Sequence, residues 1–271
     1  MLKGIAPSNP TDRALTENPR PLVHADENLV VFWSGKSACT SVLRWTFHRM
    51  GLLEAADYYG WIHQFRTKVY YESARYKRVV QRYDQRRYRH IRVVRDPFAR
   101  TVSAYLHSLE QGYERERIAR YLTIDRPYSF AEFVGYLRTV DLDVHNIHFC
   151  RQSSAAERAG EITLDHVIRV EDGLFDRLQD VECALGLTVT DFDAVKIQSK
   201  HRSDYSAAAG FVGDQKHAPG TRVSAPAYQW FYNEELRALV ARLYASDFER
   251  YGYTTSLVAP ARGPRRLHDA A

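Results

Sequence analysis

Asn28-Leu-Val-Val-Phe-Trp-Ser-Gly-Lys-Ser-Ala-Cys-Thr-Ser41 decides the reading of this chain. Leu29 to Trp33 is a short apolar run and reads as a buried strand. Ser34 to Ala38 are small residues with one lysine among them, and read as a turn. Cys39, Leu43, Phe47 and Met50 then recur at helical spacing until Gly51 ends the run. A strand entering a helix through such a turn aims backbone N–H groups and the positive end of the helix at one point. Lys36 adds a full charge there. The stretch predicts an anion cradle, and therefore a phosphorylated nucleotide as ligand.

Working outward, Ile91-Arg-Val-Val94 reads as a second buried strand, and Asp96-Pro97 opens a helix. In that helix Val102, Tyr105, Leu106 and Leu109 form an apolar stripe, with Arg100, Ser103 and His107 on another. Further helices are expected over Tyr70 to Tyr88, around Phe130 to Leu137, over Leu174 to Leu187 and from Leu236 to Tyr244. His166 to Val170 reads as a strand. Strands alternating with helices predict an α/β fold, with a P-loop-like, mainly parallel central sheet flanked by helices on both faces. Residues 1–20 and 259–271 are polar and proline-bearing and read as flexible tails around a single domain, 21–258.

The 271 residues suffice for a sizeable core, and 45% hydrophobic with 26% charged residues is usual for a folded domain. Aromatics reach 13%, which suits a tyrosine-rich core or ring surfaces for a base or sugar. A net charge of +5 favours anionic partners. Arg82, Arg86, Arg87 and Arg89 crowd together, but no nucleic-acid-binding motif accompanies them, so nucleic acid is not an expected partner. Three cysteines, an odd number without metal-ligand spacing, suggest reduced thiols and a cytoplasmic setting. Met1 to Arg20 shows no apolar signal core and no run is long and apolar enough to span a bilayer, so a secreted or membrane-anchored form is not expected.

Gly35-Lys36-Ser37 invites comparison with a Walker A loop, but that motif needs a glycine where Val30 stands inside the strand. The loop is too short to wrap a triphosphate in the usual way. Lys36-Ser-Ala-Cys-Thr-Ser41 instead resembles the 5′-phosphosulfate loop of the sulfotransferases, particularly the PK-x-A-C-T form of the carbohydrate (family 2) enzymes. Arg95-Asp-Pro-Phe-Ala-Arg-Thr-Val-Ser-Ala-Tyr105 resembles that family's 3′-phosphate motif, R-D/E-P-F-x-R-x-V-S-A-Y. Weaker echoes follow: Asn146-Ile-His-Phe-Cys-Arg-Gln152 for D-x-H-x-x-P-Q, Asp165 to Glu171 for D-x-V-x-x-x-E, and Tyr244 to Tyr253 for the closing Y-x-x-D-F-x-x-F-G-Y. Ser34-Gly35, Asn146 and Cys150 depart from the usual pattern.

The resemblance implies 3′-phosphoadenosine 5′-phosphosulfate (PAPS) as co-substrate, with no metal and no covalent intermediate. It assigns the 5′ end to Lys36 and the N–H groups of Ser37, Ala38, Cys39, Thr40 and Ser41, with the hydroxyls of Thr40 and Ser41 adding hydrogen bonds. It assigns the 3′-phosphate to Arg95, whose guanidinium grips phosphate bidentately, and to Ser103. Lys36 is also the candidate for stabilising charge on the leaving oxygen. A hydroxyl acceptor, carbohydrate or glycolipid, needs a base. His63 in Gly60-Trp-Ile-His-Gln64 is the first candidate and His148 the second, with Glu54, Asp57 and Glu72 also near in sequence. His201-Arg-Ser203 and Lys216 are candidates for covering the nucleotide. The competing readings are a P-loop kinase and a non-enzymatic binder of acidic polymer.

Overall fold

Four strands carry the architecture of the computed structural model, which describes residues 15–197 and 210–257. In chain order the elements begin with β1 (Leu22–His24), β2 (Leu29–Phe32), α1 (Cys39–Arg49), α2 (Leu53–Tyr58), α3 (Ile62–Phe65) and α4 (Ala74–Gln81). There follow β3 (Arg89–Val94), α5 (Pro97–Gln111), α6 (Arg115–Tyr121), α7 (Phe130–Leu137) and α8 (Ala155–Arg158). β4 (His166–Arg169), α9 (Leu174–Ala184), α10 (Glu234–Leu243) and α11 (Ala245–Tyr251) complete the described chain.

The sheet order is β1-β2-β3-β4, so the α/β class with a mainly parallel, helix-flanked sheet stands as read. β2 pairs parallel with β3, Leu29 opposite Arg89 and Phe32 opposite Arg92, and β3 pairs parallel with β4, Ile91 opposite His166. Only β1 is antiparallel, joined to β2 through a turn in which Asn28 is left-handed. Parallel pairing brings the carboxyl ends of β2 and β3 out on one edge, so the turns carrying Lys36 and Arg95 emerge side by side. Every residue of β2 is buried, as a strand of Leu, Val, Val and Phe demands. β3 buries Arg92 as well, which pairs with the fully buried Glu157 carboxylate, and Tyr251 donates to that same carboxylate at 2.8 Å.

The described residues fall into two compact units. One holds residues 15–96, 141–197 and 249–252; the other holds 97–140, 210–248 and 253–257. The first contains the whole sheet. Its helix α1 buries Val42, Leu43, Trp45 and Phe47 and ends where Gly51 turns left-handed, with the Leu52 N–H returning to the Phe47 carbonyl. Arg49 ties that end to Glu27 and Glu182, and the Trp45 indole N–H also donates to Glu182.

Two expectations change in this unit. Tyr70 to Tyr88 is not one helix: a π-turn over Arg66–Tyr70 precedes α4, which Ser73 caps, and Asp84 caps a separate 3-10 turn. The break has a tertiary cause. The Tyr70 hydroxyl accepts from the Val23 N–H at 2.8 Å and donates to the Val23 carbonyl at 3.0 Å, satisfying the edge of β1. Residues 15–20, expected to belong to a loose tail, are also packed on this unit. Leu15 is buried, and the Arg20 carbonyl accepts from the Trp33 indole and the Tyr71 hydroxyl.

The second unit is built on α5. Val102, Tyr105, Leu106 and Leu109 are buried as their stripe predicts, and Arg100, from the other stripe, is buried too. Tyr105 packs against Tyr128, Phe130, Phe133 and Phe231, and the Tyr232 hydroxyl donates to the Phe98 carbonyl. A capping box of Ser129 and Glu132 starts α7, and Asn233 caps α10.

Candidate active site

The chain leaves β2 at Phe32 and reaches α1 through six residues, two of them left-handed: Lys36 at φ 68 and Ala38 at φ 53. A non-glycine residue adopts this conformation only where its surroundings impose it. Alternating backbone handedness can turn N–H groups inward toward an anion, but the Ser37 N–H returns to the Ser34 carbonyl at 3.2 Å and its hydroxyl donates to Gln152, so Ser37, expected to hold the 5′ end, is instead engaged in closing the turn itself. Ala38 is the N-cap of α1, contributes no side-chain hydrogen bond, and is followed by no acidic residue in the first turn. The positive end of an eleven-residue helix is thus left uncapped where Cys39, Thr40 and Ser41 begin it.

Gly35 has a separate task. A Cβ there would stand 2.5 Å from the Ile147 carbonyl oxygen and 3.0 Å from the His148 Cα. The loop after β2 therefore lies directly on the 146–152 segment, and only glycine permits the approach. This is the physical content of the Ser34-Gly35 departure from the usual pattern.

Gln152, 2% exposed, sits at the centre. Its Oε1 accepts from the Ser37 hydroxyl at 2.8 Å and from the Arg95 N–H at 2.9 Å, and its Nε2 donates to the Arg95 carbonyl at 2.7 Å. The Arg95 guanidinium in turn donates to the Lys36 carbonyl at 3.1 Å. One amide side chain and one arginine lace the two loops together. Glu171 adds a further brace by accepting the Asp96 N–H at 2.8 Å. Neither Gln152 nor Glu171 is singled out as a site residue by its local sequence, although each closes a motif-like segment, Asn146 to Gln152 and Asp165 to Glu171.

His63 comes to the same loop from α3. Its Nε2 is 3.1 Å from the Thr40 hydroxyl oxygen, and its ring lies 6.4 Å from that of Trp61, which is 57% exposed. Burial first, then the charges of Arg66 and Lys36, push its pKa down to about 4. At neutral pH the imidazole is therefore uncharged and able to take a proton. His148 is half-buried, and its Nδ1 is 2.7 Å from the Asn146 Oδ1, which also accepts the His148 N–H. Its backbone supports Gly35, so the 146–152 segment acts first as a wall for the loop.

Among the carboxylates, Asp57 is engaged by Arg44 at 3.0 Å, Glu72 by Lys77 at 2.8 Å, and Glu54 is exposed. Ser103 is half-buried on α5 in the second unit. Lys216 pairs with Glu132 at 3.5 Å in that same unit, while His201, Arg202 and Ser203 lie outside the described residues. The three cysteines are free thiols. Among the described residues no helix is long and apolar enough to cross a membrane.

The structure thus gathers Lys36, Ser37, Ala38, Cys39, Thr40, Ser41, His63 and Arg95 about one loop of the first unit. No curated protein and no solved structure matches the sequence. The sequence model described as the sulfotransferase family matches residues 22–254, which span both loops, both histidines and Gln152. The chain belongs to the sulfotransferase family.

Proposed function

We propose that the enzyme transfers the sulfuryl group of PAPS to a hydroxyl of a carbohydrate or glycolipid acceptor. The observation that carries this reading is the lacing of the Lys36 and Arg95 loops through Gln152 and the Arg95–Lys36 hydrogen bond. A ligand with anionic groups at both ends needs two cationic sites held in fixed register, and these bonds supply the register. The uncapped start of α1 and the left-handed pair Lys36 and Ala38 suit the 5′ end.

The donor supplies an activated sulfuryl group: its bond from sulfur to the bridging phosphate oxygen breaks as the acceptor oxygen bonds to sulfur, leaving 3′-phosphoadenosine 5′-phosphate. Lys36 meets the charge that grows on the bridging oxygen, an interaction stronger in the transition state than in the ground state. His63 takes the acceptor's proton on the ring nitrogen that Thr40 does not engage, while Nε2 donates to the Thr40 hydroxyl and so holds the ring. An anion bound beside His63 raises its pKa from about 4 toward neutrality, so donor binding makes it a stronger base. Trp61, exposed and next to His63, offers a ring face to an acceptor sugar.

The test is transfer of label from [35S]PAPS to a glycan and glycolipid panel, with nucleotide binding measured alongside. Labelled product and a strong preference for 3′-phosphoadenosine 5′-phosphate over AMP are expected. Lys36→Ala should cut turnover by about 100-fold or more at unchanged Tm. Arg95→Ala should chiefly weaken nucleotide binding. Equal affinity for the two nucleotides, or magnesium-dependent ATP turnover instead of sulfation, would overturn the reading.

A further inference from the structure

Arg66 is 6% exposed, yet its Nε and Nη1 are buried without a hydrogen-bond partner. What surrounds the guanidinium is aromatic. It lies 4.2 Å from the Trp33 ring centroid and 5.9 Å from that of Tyr71. Burial works against its charge, and the Tyr71 phenol, itself pushed up to about 12, is neutral at physiological pH. Arginine nevertheless keeps its proton in proteins. A charge withdrawn from water and left unmatched is strongly unfavourable, and proteins seldom retain one without a partner. Elsewhere in the first unit buried arginines are matched: Arg92 by Glu157, and Arg49 by Glu27 and Glu182.

The location indicates the missing partner. Arg66 follows His63 by three residues, so the two share one helical side. Its charge acts on His63 together with that of Lys36, and it interacts with Cys39 at the start of α1. Trp33, on which it stacks, is the first residue of the loop leaving β2. The cation therefore stands beside the start of the loop leaving β2, within electrostatic reach of His63 and of the start of α1, where the 5′ end is assigned. The phosphosulfate end of the donor carries two negative charges, one on the phosphoryl and one on the sulfuryl group, and Lys36 supplies one positive charge.

We propose that Arg66 is the second cation of that subsite, a binding residue whose unmatched Nε and Nη1 groups are reserved for the anionic 5′ end of the donor. The inference rests on the PAPS reading above and adds a residue that the phosphate motifs do not contain. The free protein then holds an unfavourable buried charge that ligand binding relieves, so part of its specificity for an anionic 5′ group is built in before binding.

The experiment compares wild type, Arg66→Met and Arg66→Lys as full-length protein, by calorimetric binding of PAPS, 3′-phosphoadenosine 5′-phosphate and adenosine 3′-monophosphate, and by ligand-free Tm. Arg66→Met should weaken the first two ligands by about 10- to 100-fold, as loss of charged hydrogen bonds does. It should leave adenosine 3′-monophosphate, which has no 5′ anion, unchanged. Arg66→Lys should fall in between. The ligand-free Tm of Arg66→Met should equal or exceed that of wild type, because an uncompensated charge has been removed. Unchanged PAPS affinity, equal losses for all three ligands, or a clearly lowered Tm would make Arg66 a structural stacking partner of Trp33 and overturn the assignment. Wild type that fails to prefer the 3′,5′-bisphosphate over AMP would overturn the donor reading itself, and this inference with it.

Discussion

Replacing Gln152 by methionine keeps the volume of the side chain and removes three hydrogen bonds at once. The Ser37 hydroxyl and the Arg95 N–H lose their acceptor, and the Arg95 carbonyl loses its donor. Each such bond contributes about 1 kcal/mol net, and a group left buried and unpaired costs about 1–3 kcal/mol. Ser37 is fully buried and Gln152 nearly so, so water cannot readily take over. The loss should be about 3 kcal/mol or more, equivalent to a Tm lowered by roughly 6–12 °C for a protein of this size. The functional consequence is separate from the stability loss: Arg95 loses its fixed backbone, so PAPS affinity should fall even well below the transition. Gln152→Glu isolates that part. It retains both accepted bonds, but sets a carboxylate oxygen against the Arg95 carbonyl and introduces a negative charge at the point where the two loops are joined. Its donor affinity should fall by about tenfold or more, with a smaller change in Tm. Thermal unfolding and calorimetric PAPS titration of both variants decide the matter. A Gln152→Met protein within about 2 °C of wild type and with unaltered donor affinity would show that Gln152 does not set the register of the two loops.

Gly35→Ala should destabilise by about 1–3 kcal/mol and weaken donor binding, because its Cβ meets the Ile147 carbonyl at 2.5 Å; chemical denaturation measures the first effect and titration the second. His63→Asn should abolish most turnover while leaving PAPS affinity near normal, and single-turnover sulfation separates the two. The same variant tests proton linkage. The unfolded histidine binds its proton near pH 6.5 and the folded one only near pH 4, so the unfolded state holds more protons in between and wild-type stability falls as pH drops through that window. The difference approaches about 3 kcal/mol below pH 4, and His63→Asn should lack that part of the acid loss in denaturant melts at pH 7, 5 and 4. Trp61→Ala should raise the acceptor KM several-fold with the donor KM and Tm unchanged; a raised donor KM would remove Trp61 from the acceptor side.

The parts of the fold legible in the sequence are those specified by contiguous residues. Leu29 to Phe32 can only be a buried strand, the α1 pattern stops at Gly51, and the α5 stripe from Val102 to Leu109 faces a core as its period demands. The helix expected across Tyr70 to Tyr88 failed because the Tyr70 hydroxyl is held by Val23, a partner 47 residues away whose competing claim no local window contains. The site divides along the same line. Lys36 and Arg95 are visible because each sits in a strand–turn–helix segment that spells out its own geometry. Gln152 is not, since glutamine becomes a brace only when parallel pairing of β2 and β3 brings Ser37 and Arg95 within reach of one amide. Arg66 was least legible of all. In sequence it carries no motif, and its distinction is a pair of N–H groups, Nε and Nη1, left without hydrogen-bond partners once Trp33 and Tyr71 lie against it. Conversely, Gly35 was legible for the wrong reason. Beside Lys36 and Ser37 it suggests a phosphate-wrapping glycine, whereas its requirement is steric, set by the backbone of Ile147 and His148 pressed against it. The motif marks where an anion is expected, but the register between the Lys36 and Arg95 loops is set by this contact and by Gln152, so the 146–152 segment shapes the two turns as much as their own residues do.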